Sequence, residues 1–262
     1  MSMLPATYIP HGGGPCFFMD DPHGVWTDME AFLRGLPGRL GMRPSAILLV
    51  SGHWETDGFA LTGGERPDLI YDYYNFPAHT YQLTYPAAGS PPLAQRAAML
   101  LGDAGLPARI DPERGFDHGV FIPMKVAFPD ATIPIVQMSL DRKLDPGLHL
   151  AAGRALAPLR AQGVAIIGSG MSFHNMRGYG HPDFTRPAAE FDAWLTRAVT
   201  QPAAARDAAL LEWDAAPGGR LSHPREEHLL PLMVAAGAAD GPGERIFSGA
   251  VVNTAVSGFL FQ

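Results

Sequence analysis

The chain has 262 residues, 47% hydrophobic and 17% charged, enough to bury a core without a disulfide or structural metal and too apolar for extended disorder. Its 19 basic against 26 acidic side chains leave a formal charge of −7, the opposite of the balance a nucleic-acid binder shows. The single cysteine, Cys16, excludes an intrachain disulfide and a cysteine-based zinc finger.

Residues 1–14 carry neither a basic segment nor an unbroken apolar run, and no stretch approaches the length of a membrane span. The expectation is a cytoplasmic protein with no membrane partner and no nucleic-acid partner. In chain order, Ala6 to Ile9 is the first predicted strand and Val25 to Leu36 the first helix. Ala46 to Ser51 follows as a strand whose Ile47-Leu48-Leu49-Val50 run is apolar on both faces, as in the centre of a covered sheet. Gly63 to Pro86 is Tyr-rich and broken by prolines, which predicts a long ordered loop or a short antiparallel excursion.

Helices are predicted over Pro92 to Ala104 and Gly119 to Ala127, then a strand over Ile133 to Ser139 and a helix over Gly147 to Leu159. A strand over Val164 to Gly168 precedes helices over Pro187 to Val199, Ala204 to Trp213 and Arg225 to Ala236, and Phe247 to Val256 reads as the last strand. This alternation predicts the α/β class: one domain over residues 1–262, with a central, mostly parallel or mixed sheet flanked by helices.

Three of the ten histidines sit at predicted strand ends: His11 after Tyr8-Ile9-Pro10, His53 after Leu49-Val50-Ser51-Gly52, and His174 shortly after Ile166-Ile167-Gly168-Ser169-Gly170. Carboxyl ends of parallel strands form the rim of a ligand crevice, so separate strands aim these imidazoles at one point. Glycines around them permit close approach. His118, within Gly115-Phe116-Asp117-His118-Gly119, and His228, beside Glu227, have similar settings. His23, His79, His149, His181 and His223 read as turn, loop, helix or cap residues and stand outside this group. Neutral imidazoles with an acidic neighbour suit a borderline divalent ion at the strand C-terminal ends, Zn(II) or Fe(II).

The stretches Pro10-His11-Gly12, Ser51-Gly52-His53-Trp54, Tyr85-Pro86-Ala87-Ala88-Gly89-Ser90-Pro91, Gly115-Phe116-Asp117-His118-Gly119, Ile133 to Ser139, His174-Asn175 and Glu227-His228-Leu229-Leu230-Pro231-Leu232 together resemble the class III extradiol ring-cleavage dioxygenases. This is the superfamily of the protocatechuate 4,5-dioxygenase catalytic subunit, and the likeness is to its DOPA 4,5-dioxygenase branch. The resemblance implies a single catalytic domain that opens a DOPA-like or related catechol with both atoms of O2. His11, His53 and His228 would hold the metal, His174 would be a further ligand or a nearby base, and His118 would stand close to substrate or oxygen. On a helix Glu227 and His228 would diverge by roughly 100°, so His228 is the expected third ligand rather than Glu227.

Fe(II) is the ion expected for activity, with Zn(II) able to occupy the same ligands without its redox chemistry. The implied partners are a small aromatic catechol and O2, in a monomer or small homo-oligomer. The likeness departs at His11-Gly12-Gly13-Gly14-Pro15, which replaces the usual His-Gly-Ser-Pro, and at Phe121, where tryptophan is common. Tyr71, Tyr73, Tyr74 and Phe76 are candidate walls for the ring, and Arg66 and Arg177 are the cations considered for a substrate carboxylate. Two other readings stand beside it: a zinc hydrolase, and a non-catalytic Memo-like metal-binding relative. A serine esterase is excluded by the absence of Gly-x-Ser-x-Gly.

Overall fold

The apolar runs become the middle of one sheet. The computed structural model describes residues 3–262 and contains β1 (Ala6–Pro10), β2 (Ala46–Thr56), β3 (Phe59–Thr62), β4 (Ala108–Asp111), β5 (Ile135–Asp141), β6 (Val164–Gly170), β7 (Gly243–Val251) and β8 (Thr254–Phe261). Their spatial order is β4-β3-β5-β2-β6-β1-β8-β7. The central four, β5, β2, β6 and β1, run parallel, and β8 and β7 extend the sheet antiparallel.

The helices are α1 (Thr27–Arg39), α2 (Pro91–Asp103), α3 (His118–Ala127), α4 (Pro146–Leu156), α5 (Thr185–Val199), α6 (Ala203–Leu211), α7 (Gly219–Ser222) and α8 (Leu230–Gly237). They cover both faces of the sheet, and strand periodicity divides the core accordingly. Leu48, Val50 and Ile166 pack with Leu93, Leu150 and Leu232 on one face. Ile47, Leu49 and Ile167 pack with Leu33, Val120 and Met124 on the other. Fully buried Arg160 ties this body together, its guanidinium donating to the carbonyls of Leu4 (2.6 Å), Ala238 (2.6 Å) and Phe261 (3.4 Å). Among the described residues no helix is long and apolar enough to cross a membrane.

Two expectations are corrected. The segment expected as one strand over Phe247 to Val256 is parts of two, β7 and β8, joined by a tight turn at Val252-Asn253 with Val252 at φ 56°. A β-branched residue in the left-handed region carries none of the glycine signal that marks such turns. The helix expected over Arg225 to Ala236 begins only at Leu230, with Pro231 in its first turn, where a missing N–H costs no hydrogen bond. β3 and β4, four residues each, were not foreseen.

Candidate active site

β1 and β2 flank β6, so their carboxyl ends bring two histidines to either side of it. His11 directly follows β1, its backbone N–H donating to Gly170 O at 3.1 Å. His53 lies within β2 rather than after it, inside the register shift between Val50 and Glu55 that re-aims its side chain.

His228 arrives from the other direction, on the turn that precedes α8. Its backbone lies directly on the sheet: a Cβ at Gly170 would come within 2.1 Å of His228 O, and one at Gly168 within 2.2 Å of Pro231 O. The same His228 carbonyl accepts from Tyr8 Oη at 2.8 Å and from Met171 N–H at 3.2 Å. Glycine on β6 is what lets this turn reach the strand ends. Since residues 227 and 228 are not helical, the expected helical divergence between their side chains does not apply, and both serve the site.

The three imidazoles converge through their Nε2 atoms. His53 Nε2 stands 3.2 Å from His11 Nε2 and 3.1 Å from His228 Nε2. Ser169 Oγ gives its proton to Gly119 O, so it accepts from His11 Nδ1 at 3.0 Å; Glu227 Oε1 accepts from His228 Nδ1 at 3.0 Å. Both imidazoles therefore point a bare lone pair inward. His53 has one proton at most to offer between them, so these contacts cannot both be hydrogen bonds.

A divalent cation resolves the conflict, because nitrogens about 2.1 Å from one ion stand about 3.0 Å apart at right angles and about 3.4 Å apart in a tetrahedron. Burial holds His11 and His228 well below the ordinary imidazole pKa, with the neighbouring histidines adding to the effect. Burial likewise takes His53 to about 3, assisted by His118 and opposed by Asp72. Three neutral nitrogen donors are what a metal site needs.

His118 and His174 complete a ring of five. His118 donates from Nδ1 (2.8 Å) and from its backbone N–H (2.9 Å) to Asp72 Oδ1, and its ring centre is 3.9 Å from that of His53. His174 stacks on His228 at 3.4 Å between ring centres, with Nδ1 3.1 Å from Glu227 Oε1. His11, His53 and His118 form one group whose donor atoms lie within 4.8 Å of one another, and His174, Glu227 and His228 form a second. Burial raises the Glu227 and Asp72 carboxyls, but the histidines hydrogen-bonded to each outweigh it and leave both below the usual range.

Beneath His118, fully buried Asp117 accepts from Ser51 Oγ at 2.8 Å and pairs with Arg114 at 3.3 Å; burial and then Asp72 raise its pKa. Asp72, Ser169 and Asp117 were not singled out from the sequence. The one available signal was Asp72 inside the Tyr71-Asp72-Tyr73-Tyr74 run, an acid in a loop already expected to line a site.

These histidines floor a cavity of about 490 Å³, walled by Trp26, Tyr73, Phe76 and Met171 and opening past Tyr74, Met176 and Val252. Tyr71 is not part of this wall; it packs behind, against Phe121, with its hydroxyl on Leu83 O at 2.6 Å. Neither Arg66 nor Arg177 lines the cavity. The histidines left outside the group serve elsewhere: His149 donates to Asp145 O and accepts from Asp141 N–H, and His223 is buried against Ser172 O.

The family described as the catalytic LigB subunit of aromatic ring-opening dioxygenase matches residues 5–258. The dioxygenase tasH of Hapsidospora irregularis is 42% identical over 258 residues, covering 91% of this chain and 79% of its own. The 4,5-DOPA dioxygenase extradiol of Beta vulgaris is 40% identical, covering 88% and 85% respectively, and that of Escherichia coli (strain K12) is 37% identical, covering 91% and 86%. The crystal structure of the uncharacterized protein JW3007 from Escherichia coli K12 superposes with a TM-score of 0.78 at 32% identity, covering 99% of this chain and 100% of that one.

Proposed function

The chain belongs to the family of the catalytic LigB subunit of aromatic ring-opening dioxygenase and is a non-haem, metal-binding extradiol dioxygenase; we propose that its substrate is a catechol, DOPA or a related one, and its working ion Fe(II). The observation that carries this reading is the convergence of three Nε2 atoms at 3.1 and 3.2 Å on the floor of an aromatic-walled cavity. In it, residues 1–262 act as one catalytic domain in the cytoplasm.

His11, His53 and His228 would hold the ion. When bound, Fe(II) supplies the redox route between a closed-shell catechol and triplet oxygen, which zinc lacks. His174, with Nδ1 tied to Glu227, turns Nε2 to the cavity as the base that takes a catechol proton. The proton taken by His174 would return from it to oxygen, and His118, whose Nδ1 is held by Asp72 in the same manner, stands beside the substrate as the second group able to take up a catechol proton and give it back. Imidazole suits both tasks because its proton affinity is balanced near neutrality. The apolar wall keeps bulk water from the ring while this proceeds.

The test is oxygen consumption after anaerobic loading with Fe(II), across a panel of catechols, beside Zn(II)-loaded protein and His11→Ala. Uptake with a yellow product, in the iron-loaded parent alone, is the expected result. A Zn(II)-loaded sample that consumes oxygen equally, or iron-loaded protein inert toward every catechol, overturns the reading.

A further inference from the structure

We propose that Asp72 is the positioning residue that joins the metal-holding half of the site to its proton-handling half: one of its oxygens fixes His118 and the other faces His53 Nδ1, so that a single carboxylate turns Nε2 of both rings to the cavity. The inference rests on the metal-centre reading above and completes its set of orienting groups.

Backbone pairing brings Asp72 to the site. Phe116 N–H donates to Asp68 O and Ile70 N–H to Phe116 O, both at 2.8 Å, a short parallel ladder between the Tyr-rich loop and the segment that leads into α3. At the next rung His118 N–H, the first of α3, goes to the Asp72 carboxylate instead, at 2.9 Å. The N–H groups that open a helix have no partner within it, and the helix dipole favours an acid there as well. The same Oδ1 accepts from His118 Nδ1 at 2.8 Å, so two donors from one residue set the orientation of the carboxylate. Its Oδ2 is thereby aimed at His53 Nδ1, 3.7 Å away. That is beyond a hydrogen bond, but a proton on Nδ1 is attracted to the carboxylate and a lone pair there is repelled.

Each of the three converging imidazoles then has an oxygen behind its Nδ1: Ser169 for His11, Glu227 for His228 and Asp72 for His53. Asp72 also stands between Tyr71, packed on Phe121 of α3, and Tyr73, a wall of the cavity whose ring centre is 5.8 Å from that of His118. The carboxylate is accordingly held both by its own loop and by the helix.

Two variants separate this role from a structural one, because they act oppositely on the two rings. In Asp72→Asn the amide oxygen keeps both bonds to His118, since only the oxygen can accept them, and the NH2 then confronts His53 Nδ1, which must carry its proton when Nε2 binds a metal. Asp72→Ala takes the acceptor from His118 and sets nothing against His53. Zn(II) affinity, read by competition with a chromophoric chelator, is expected to fall roughly 10–100-fold in Asp72→Asn and by less in Asp72→Ala. The His118 tautomer, read by long-range proton–nitrogen NMR of the Zn(II)-loaded proteins with His118→Gln to assign its signals, is expected to be Nδ1–H in the parent and in Asp72→Asn and to change in Asp72→Ala alone. An aspartate that merely supports the fold would make alanine the more damaging change in both readouts. That ordering, an Asp72→Asn dissociation constant within about threefold of the parent, or an Nε2–H tautomer of His118 in the parent overturns the proposal. Neither readout needs turnover, so iron-loaded protein inert toward every catechol would overturn ring opening while the two expected orderings still uphold Asp72.

Discussion

Replacing Glu227 by glutamine removes a charge and almost no volume, and leaves at best one neutral oxygen where a carboxylate oxygen accepts from both His228 Nδ1 at 3.0 Å and His174 Nδ1 at 3.1 Å. The second carboxylate oxygen has no hydrogen-bond partner and only Arg225 at 3.5 Å, so the orienting contacts run through Oε1. Hydrogen bonds to a charged group contribute about 1.5–3 kcal/mol each. Glutamine keeps one neutral acceptor and presents an NH2 that cannot receive an N–H. Losing the charge, and with it the firm assignment of the bare lone pair to His228 Nε2, is expected to weaken metal binding by roughly 10–100-fold, or about 1.4–2.7 kcal/mol. Competition against a chromophoric chelator measures this for Zn(II), with thermal unfolding of the metal-free variant as a check that the fold is intact. A dissociation constant within about threefold of the parent would refute the argument that this carboxylate orients the third ligand.

Gly170→Ala places a methyl 2.1 Å from His228 O, so it is expected to cost about 1–3 kcal/mol of stability and to weaken metal binding as well; urea unfolding and the same chelator titration read the two, and unchanged affinity would contradict the seating of His228 on β6. Arg160→Met leaves three buried carbonyls without their donor and should lower stability by about 3 kcal/mol or more, while a loss under about 1 kcal/mol in denaturant unfolding would show that the guanidinium contributes little. His149 and His223 are held neutral by burial, His223 down to about 3. The unfolded chain takes up these protons below pH of about 6.5, so their contribution is complete above that value and lost as pH falls toward the folded pKa, at up to about 1.4 kcal/mol per pH unit for each. In metal-free protein His11, His53 and His228, lowered likewise by burial, add to this slope, so urea midpoints between pH 7 and 5 should fall at least as steeply as the two histidines require, and His149→Phe should reduce the slope by one histidine's share.

The central strands were legible because a strand covered on both faces has to be apolar throughout, and Ile47 to Val50 and Val164 to Ile167 have no other reading. His11 and His53 were legible for the related reason that a polar, glycine-flanked residue at the end of such a run has left the core for the rim. The hairpin around Val252 was not, since its turn uses a residue that local propensity would assign to a strand. The short β3 gains its strand character from pairing with β4 and β5, and β4 from pairing with β3, a tertiary effect that four residues do not announce. His228 lies with the histidines the sequence grouped it with, but in a turn rather than a helix: the pattern from Arg225 to Ala236 has a helical period, and only Pro231 hints that the helix begins late. The partners that fix tautomers, Ser169 and Asp72, lie 158 and 46 residues from the histidines they orient, a separation that one sequence does not bridge.

The seating of His228 on the glycines of β6 bears on how the protein acquires its ion. Where ligands are scattered until metal gathers them, binding and folding are one event and a chelator unfolds the chain. Here the His228 carbonyl is fixed by Tyr8 and Met171, and the His11 backbone by Gly170, all contacts between protein atoms of the core. Ion capture then adds stability only by mass action, and the emptied protein keeps its shape and can be refilled. Three imidazoles held in advance bind Zn(II) more tightly than Fe(II) at equal concentration, so on the proposed iron-dependent reading the supply of the two ions around the folded protein would decide how much of it is competent.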